Sequence, residues 1–235
     1  MQIISGTRAG PEKRLNNGKV KRAGENQDAL AVRQLDDGCV LMAVMDGISN
    51  DPYGRLIATW LADRFKNAPL FVSVDDPLTL KLAIESLLYR MLNDEECAFC
   101  ADSGCTVTFA IVEPESGKGC VAWAGDSPAF ITRKDSDEGT ELLTRAHADP
   151  AGLLTSVFTG RMEMIVDTAV FQLEDGDVLT LMTDGVGGEK DGLFFLDTVY
   201  RETPFSDVEE LLLSRGAVRE DDATFIAFRM EDAGQ

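Results

Sequence analysis

The sequence predicts an α+β fold, and three observations lead to this class. Short apolar runs of strand length stop abruptly at turn residues, as 39–45 does at Asp46-Gly47. Two segments with apolar residues at helical spacing, 54–66 and 78–92, follow one another with only a linker between them. The second half then returns to strand patterns. Because strands and helices do not alternate strictly, we expect separate layers of sheet and helix rather than a doubly wound sheet.

Length and composition are those of an ordinary globular protein, and we predict one domain over 1–235. The chain is 44% hydrophobic and 27% charged. Its net charge of −19 argues against nucleic acid or an anionic membrane as a partner. No segment is long and apolar enough for a membrane span, and the N-terminus lacks the apolar core of a signal peptide. We therefore expect a cytoplasmic monomer.

The cysteines are predicted to be reduced thiols. Their number is odd, at five, and no secretion signal accompanies them. A Cys-x-x-Cys pair at Cys97 and Cys100 has no matching second pair. Zinc binding therefore stays open only as a minor alternative to buried or loop thiols.

The first half of the chain is predicted to contain three strands and two helices. Strands are expected at 3–7, 29–32 and 40–45, and the polar stretch 11–22 is expected to be a loop. The helix at 54–66 has its apolar stripe at Leu56, Ile57, Trp60, Leu61 and Phe65. The helix at 78–92 has its stripe at Leu80, Ile84, Leu87, Leu88 and Met91. Both stripes are interpreted as core.

The second half is predicted to consist mainly of strands. These are expected at 106–112, 119–124, 129–132, 164–173, 177–183 and 221–228. The acidic residues 135–138 are predicted to be a hairpin tip, and helices are expected at 193–200 and 207–215.

Two Asp-Gly pairs differ from the others in what precedes them. The chain has five such pairs, which begin at Asp37, Asp46, Asp175, Asp184 and Asp191. An Asp-Gly pair is often a plain turn, which is how we interpret those at Asp37 and Asp175. Asp46 and Asp184 each follow an apolar strand. A carboxylate at the end of a core strand is costly unless a cation or a set of donors pairs with it.

Five acids stand at ends of predicted core strands, namely Asp28, Asp46, Asp126, Asp184 and Asp221. Strands of packed sheets end on common edges, so these carboxylates can converge. A set of oxygen ligands without His or Cys suits a hard cation such as Mg²⁺ or Mn²⁺. The only histidine, His147, excludes histidine-rich metal sites built within this chain, and it is predicted to be a structural or surface residue.

The chain resembles the type 2C metal-dependent Ser/Thr protein phosphatases, in the compact bacterial form. The resemblance runs from about Arg22 to Phe228 and consists of six short motifs in family order. They are Asn26-Gln27-Asp28, Val44-Met45-Asp46-Gly47, Ser103-Gly104-Cys105-Thr106, Ala124-Gly125-Asp126-Ser127, Thr183-Asp184-Gly185 and Asp221-Asp222-Ala223-Thr224. Each motif alone is weak, whereas six in order are specific.

The resemblance implies a four-layer α-β-β-α sandwich of two antiparallel sheets flanked by helices. It also implies two Mn²⁺ or Mg²⁺ ions at one end of the sandwich, with Asp46 bridging both and the Gly47 carbonyl on one of them. Asp184 and Asp221 would bind the other ion, and Asp28 would hold metal-bound waters. A third, weaker ion is implied at Asp126. Asp222 falls where the family often has Asn, and it is expected to lie behind the direct ligands.

The implied reaction is hydrolysis of phosphoserine and phosphothreonine on proteins. A metal-activated water would attack phosphorus in line, with no phosphoenzyme. Asp46, Asp184, Asp221 and Arg22 are the residues expected to carry the chemistry, with Arg22 as the phosphate-binding residue. The implied partner is a phosphorylated protein, in opposition to a Ser/Thr kinase, and a partner-switching phosphatase is an option of the same class. Residues 145–164 lie where bacterial members often have a flap beside the site, but the segment is short here, and 155–160 can instead pack as the family's pre-strand segment.

Three departures from the family pattern keep an alternative open. The usual phosphate-clamp Arg position is Ala23 here, so Arg22, one residue further away, is either its substitute or a solvated loop cation. Gln27 stands where some members have Glu. Ile48 follows Asp-Gly where many eukaryotic members have His, so we expect a metal-bound water to protonate the leaving group. The alternative is a non-catalytic module that binds a phosphoprotein or another partner on the same fold.

Overall fold

A computed structural model describes residues 1–14, 20–21, 24–94, 102–134 and 139–231. Within these ranges the strands are β1 (Gln2–Arg8), β2 (Lys13–Arg14), β3 (Val20–Lys21), β4 (Ala29–Gln34), β5 (Val40–Met45), β6 (Gly104–Cys105), β7 (Val107–Val112), β8 (Lys118–Ala124), β9 (Ala129–Thr132), β10 (Thr140–Leu142), β11 (Phe158–Thr159), β12 (Asp167–Gln172), β13 (Val178–Met182) and β14 (Ala223–Arg229). The helices are α1 (Gly54–Asn67), α2 (Leu78–Asn93), α3 (Glu189–Glu202) and α4 (Val208–Arg219), with a 3₁₀ turn at Phe205–Asp207. No helix among the described residues is long and apolar enough to cross a bilayer.

Two five-stranded sheets form the middle of the molecule. The first has the order β1-β14-β13-β9-β10 and the second has the order β12-β8-β7-β5-β4. All pairings within them are antiparallel. Helices α1 and α2 cover the second sheet, and α3 and α4 cover the first. The α+β class and the α-β-β-α layer order are therefore confirmed.

The apolar run before Asp46 is buried on both faces of its sheet. Val40, Met42 and Val44 face the first sheet, whereas Leu41, Ala43 and Met45 face α1 and α2. Because side chains alternate along a strand, a strand between two apolar layers needs apolar residues at every position. This explains the unbroken run 39–45 and its abrupt end at the edge of the sheet.

Some element boundaries differ from the predictions. The predicted loop 11–22 contains the short hairpin β2–β3, in which Lys13 pairs with Lys21. β12 begins at Asp167 rather than 164, and α3 begins at Glu189 rather than 193. β10, which pairs with β9, was not predicted. The predicted hairpin tip 135–138 lies outside the described residues.

Helix α1 shows one error in the predicted apolar stripe. Ile57, Leu61 and Phe65 are buried, but Leu56 is 52% exposed. Leu56 and Phe65 lie nine positions apart, which on a helix of 3.6 residues per turn is half a turn away from a common face. The stripe on α1 is therefore narrower than we predicted.

The cysteines in the described part of the chain, Cys39, Cys105 and Cys120, are buried free thiols, as expected for a reduced protein. Burial raises the pKa of the Cys39 thiol to about 11. Cys97 and Cys100, the alternative zinc pair, lie outside the described residues.

Removal of the Phe65 ring is expected to destabilise the protein far more than removal of the Leu56 side chain from the same helix. The Phe65 ring is fully buried and lies 4.6 Å from the Phe109 ring, measured between centroids. Phe65→Ala should lower the free energy of unfolding by about 3–5 kcal/mol through lost contacts and a cavity. Leu56→Ala should change it by less than about 0.5 kcal/mol. Urea unfolding measures both, and equal losses would contradict the assigned faces of α1.

Candidate functional site

Acidic side chains from the second sheet lie at one of its ends. Ala29 at the start of β4 pairs with Met45 at the end of β5, so Asp28 and Asp46 leave the sheet side by side. Ala124 at the end of β8 pairs with Val107 at the start of β7, which places Asp126 at the same end. The expectation that strand ends share an edge therefore holds for these three acids.

The first sheet brings Asp184 and Asp221 to the same place. Met182 at the end of β13 pairs with Phe225 near the start of β14, so the residues before β14 lie beside those after β13. Helix α4 ends at Arg219 and is capped by Glu220, whose φ of 57° is left-handed, and the Asp221 N–H donates to the Gly216 carbonyl at 3.0 Å. This helix end determines where the chain turns into β14.

The other four acids lie within electrostatic range of Asp46. Burial raises the pKa of the Asp46 carboxyl well above its usual value, and the charges of Asp28, Asp184, Asp221 and Asp126 raise it further. Burial, then the Asp222 charge, raises the pKa of Asp28 to about 7. Burial, then the Asp184 charge, raises the pKa of Asp126 to about 6. Asp28, Asp46 and Asp126 are thus harder to ionise because they are removed from water and lie near other carboxylates.

A hydroxyl relay joins the two sheets at Asp28. The Thr183 hydroxyl accepts the Thr224 backbone N–H at 3.1 Å and donates to Asp28 Oδ2 at 2.8 Å. This hydrogen bond, together with one from the Thr224 hydroxyl, lowers the pKa of Asp28 and opposes part of the increase caused by burial. Thr183 and Thr224 belong to the two last motifs, but the sequence analysis gave them no role.

Asp222 connects three distant parts of the chain behind the acids. Its Oδ1 accepts the Gly10 N–H at 2.7 Å, and its Oδ2 accepts the Gln27 N–H at 2.8 Å. The side chain is buried. Asp222 therefore fixes the backbone next to Asp28. Acid at this position satisfies two buried donors at once.

The glycines of the Asp-Gly pairs serve two different purposes. A Cβ on Gly47 would lie 2.6 Å from the Gln27 carbonyl oxygen, and one on Gly185 would lie 1.6 Å from the Asp222 carbonyl oxygen. These glycines are needed because other backbone passes against them. Gly38 and Gly176 instead have φ of 87° and 85°, as expected for turns. The distinction predicted between the Asp46 and Asp184 pairs and the plain turns thus has a physical basis.

Gln27 contributes a buried oxygen to this region. Its side-chain Oε1 is inaccessible to solvent and accepts no hydrogen bond from the described residues. Its backbone carbonyl accepts the Gly47 N–H at 3.2 Å, so Gln27 lies directly beside Asp46-Gly47. An unsatisfied buried acceptor next to several carboxylates is typical of a site that takes up a cation or water.

The donor set suits a hard divalent cation, although the side chains are not arranged as a finished ligand shell. All five acids offer oxygen, the donor type that Mg²⁺ and Mn²⁺ prefer. Among the residues that the structure describes, no group of three or more His, Cys, Asp or Glu side chains could hold a metal ion as it stands. The carboxylates would therefore have to turn toward a shared ion.

Other predicted residues lie at the edge of this region or outside it. Arg22, the predicted phosphate ligand, lies outside the described residues, as does Ala23. The 145–164 segment returns to the site through β11, which pairs with β6. Glu189, which the sequence analysis did not single out, contributes a charge that raises the pKa of Asp126.

Comparisons with known proteins give one matching family. The family described as Stage II sporulation protein E (SpoIIE) matches residues 36–231. Comparison with curated proteins gives no match.

Three solved structures illustrate the likeness in fold. A bacterial serine phosphatase has 19% identity and a TM-score of 0.78, with 100% of both chains covered. Serine/threonine phosphatase Stp1 from Staphylococcus aureus has 19% identity and a TM-score of 0.75, over 98% of this chain and 95% of that one. RsbX in complex with magnesium has 15% identity and a TM-score of 0.65, over 96% and 93%.

Neutralising Asp28 should stabilise the metal-free protein at high pH. The folded pKa of about 7 exceeds the ordinary value of 3.8, so the folded state binds the proton more tightly than the unfolded state. Ionised Asp28 therefore destabilises the folded state most above pH 7, and this destabilisation disappears as the pH falls toward 4. With EDTA present, Asp28→Asn should raise the free energy of unfolding at pH 8 by up to about 4 kcal/mol.

Urea unfolding at pH 8, 6.5 and 5 measures this difference. The matched control is Asp36→Asn, at an exposed turn position, which should show little effect at any of the three pH values. A gain for Asp28→Asn that stays constant with pH, or that grows toward low pH, would contradict the raised pKa.

Proposed function

The chain belongs to the SpoIIE family, a family of PPM-type phosphatases, and from this premise we propose that it hydrolyses phosphoserine and phosphothreonine on protein substrates with Mn²⁺ or Mg²⁺. The observation that carries the proposal is that Asp28, Asp126, Asp184 and Asp221 all lie within electrostatic range of the half-buried Asp46 carboxyl. RsbX, of similar fold, was solved with magnesium, which supports the choice of a hard cation.

In this proposal the chain's own groups would hold two cations, with a third bound more weakly. Asp46 would serve both, the Gly47 carbonyl would serve one, and Asp184 and Asp221 would serve the other. Asp28 would orient water, and Asp126 would serve the weaker ion. Bound there, the cations would offset the charge on the phosphoryl oxygens and acidify the attacking water.

The surrounding residues orient the acids. The Thr183 hydroxyl holds one oxygen of Asp28 in place from the opposite sheet. The Thr106 hydroxyl accepts the Asp46 N–H at 3.1 Å, and the Thr106 N–H donates to the Asp46 carbonyl at 2.8 Å. Asp46 is thus held in position through its backbone.

The substrate is proposed to be a phosphorylated protein, in opposition to a Ser/Thr kinase. Two of the proteins of similar fold are described as a serine phosphatase and a serine/threonine phosphatase. Arg22 is proposed as the phosphate ligand because the first motif places it near Asp28 in sequence.

Hydrolysis of a small aryl phosphate should require Mn²⁺ and stop with EDTA. Asp46→Asn and Asp184→Asn should each lower the rate by at least about 100-fold, because each removes a charge from the cation site. Asp37→Asn changes the same Asp-Gly dipeptide at a plain turn and should keep the wild-type rate. Turnover without a divalent cation, or equal rates in all three variants, would exclude the proposed mechanism.

Replacing Gln27 with Glu should change two properties in opposite directions. The added carboxylate should tighten Mn²⁺ binding by roughly tenfold through its charge. In EDTA it should lower the free energy of unfolding, because one more buried acid joins those already crowded there. Calorimetric titration measures the first effect and urea unfolding the second. A variant unchanged in both would show that Gln27 does not face the cations.

A further inference from the structure

His147 is fastened to the turn that precedes Asp126. Its backbone N–H donates to the Gly125 carbonyl at 2.9 Å, and the Gly125 N–H donates to its ring Nδ1 at 3.3 Å. His147 thus forms hydrogen bonds with both the N–H and the carbonyl of Gly125. The sequence analysis placed His147 among structural or surface residues and assigned it no contact.

These contacts define the tautomer of the ring. Because the Gly125 N–H is a donor, Nδ1 must be the unprotonated acceptor, and the proton of the neutral ring then lies on Nε2. Nε2 lies 3.1 Å from Asp167 Oδ2 and can donate to it. The carboxylate of Asp167 therefore favours the tautomer that Gly125 requires.

Packing holds the ring in this orientation. It stacks on the Trp123 indole, with 6.1 Å between centroids and 20° between planes. Trp123 is the partner of Asp167 in the pairing of β8 with β12, so the indole and the carboxylate that contact the ring come from one cross-strand pair. The Trp123 indole N–H donates to the Arg145 carbonyl at 2.8 Å, which fixes the chain just before His147.

Gly125 is confined from its other side as well. Its φ of 121° is open to glycine, and a Cβ there would lie 2.6 Å from Cβ of Thr106. Thr106 is the residue that holds the Asp46 backbone. The turn that presents Asp126 is therefore enclosed between Thr106 and His147.

We propose that His147 is a positioning residue for Asp126. As the neutral Nε2–H tautomer it clamps Gly125, and it thereby sets where the Asp126 carboxylate enters the acid cluster and how tightly the weaker divalent ion binds. The part that concerns the ion depends on the proposed function, whereas the clamp itself does not. The clamp also ties residues 145–155 to the acids, since the His147 carbonyl accepts the Thr155 N–H at 2.7 Å.

Nuclear magnetic resonance tests the clamp without metal or substrate. The chain has one histidine, so its imidazole nitrogen spectrum contains one ring. We expect the unprotonated nitrogen to be Nδ1.

His147→Asn keeps an acceptor at the Nδ1 position, whereas His147→Gln keeps only a group that reaches Asp167. Hydrogen exchange at the Gly125 amide should accelerate by about fivefold more in His147→Gln than in His147→Asn. A protonated Nδ1, or equal exchange in both variants, would overturn the clamp.

Calorimetry with Mn²⁺ tests the link to Asp126. His147→Gln should weaken the lowest-affinity Mn²⁺ site by roughly tenfold, as loss of an orienting partner commonly does, while His147→Asn should keep more of the affinity. If His147 acts through Asp126, the double variant His147→Gln/Asp126→Asn should bind no more weakly than Asp126→Asn alone. Additive losses, or unchanged Mn²⁺ binding in His147→Gln, would overturn the positioning role.

The two proposals fail in different ways. If the clamp proposal is wrong, the His147 tautomer and the hydrogen exchange at Gly125 will differ from those expected, while the wild-type protein can still hydrolyse aryl phosphate with Mn²⁺. Failure of the proposed function would appear as a wild-type protein that hydrolyses no aryl phosphate with Mn²⁺, whatever the state of the His147 ring.

Discussion

The cost of removing several neighbouring carboxylates from water is the constraint on which this structure depends. Burial and the charges of four other acids raise the pKa of Asp46, and burial and the Asp222 charge raise the pKa of Asp28 to about 7. Such a cluster opposes folding, so the surrounding fold has to hold it in place. Two sheets with apolar layers on both faces provide that support, because the acids lie at strand ends, and the strands before Asp46 and Asp184 are buried at every position.

Neutral hydrogen-bonding groups organise much of the cluster. Hydroxyls of Thr183 and Thr106, and backbone N–H groups facing Asp222, fix the acids and their neighbours. Hydrogen bonds of this kind determine orientation without neutralising charge. These groups therefore supply no positive charge to balance the carboxylates, and a bound divalent cation would supply it.

The sequence predicted the layers and the main acids but not their supports. Asp46 and Asp184 stand out because an apolar strand precedes each Asp-Gly pair, and this signal is local. The role of Asp222 toward Gly10 and Gln27 depends on contacts between residues that are about 200 positions apart along the chain. The orientation of the His147 ring depends on the cross-strand pairing of Trp123 with Asp167. No local sequence pattern reveals the register of that pairing. Leu56 was wrongly predicted to be buried, because helical spacing alone does not show how much of the α1 surface is covered by the sheet.

The pairing of β1 with β14 has a consequence for biosynthesis. Gln2 lies opposite Arg229, and Arg8 lies opposite Ala223, so β1 pairs with a strand more than 200 residues further along the chain. Until 222–229 have been translated, β1 lacks this neighbour and Gly10 lacks the carboxylate that accepts its N–H. A nascent chain therefore cannot complete the first sheet, or bring Asp221 to the acid cluster, before these residues have left the exit tunnel.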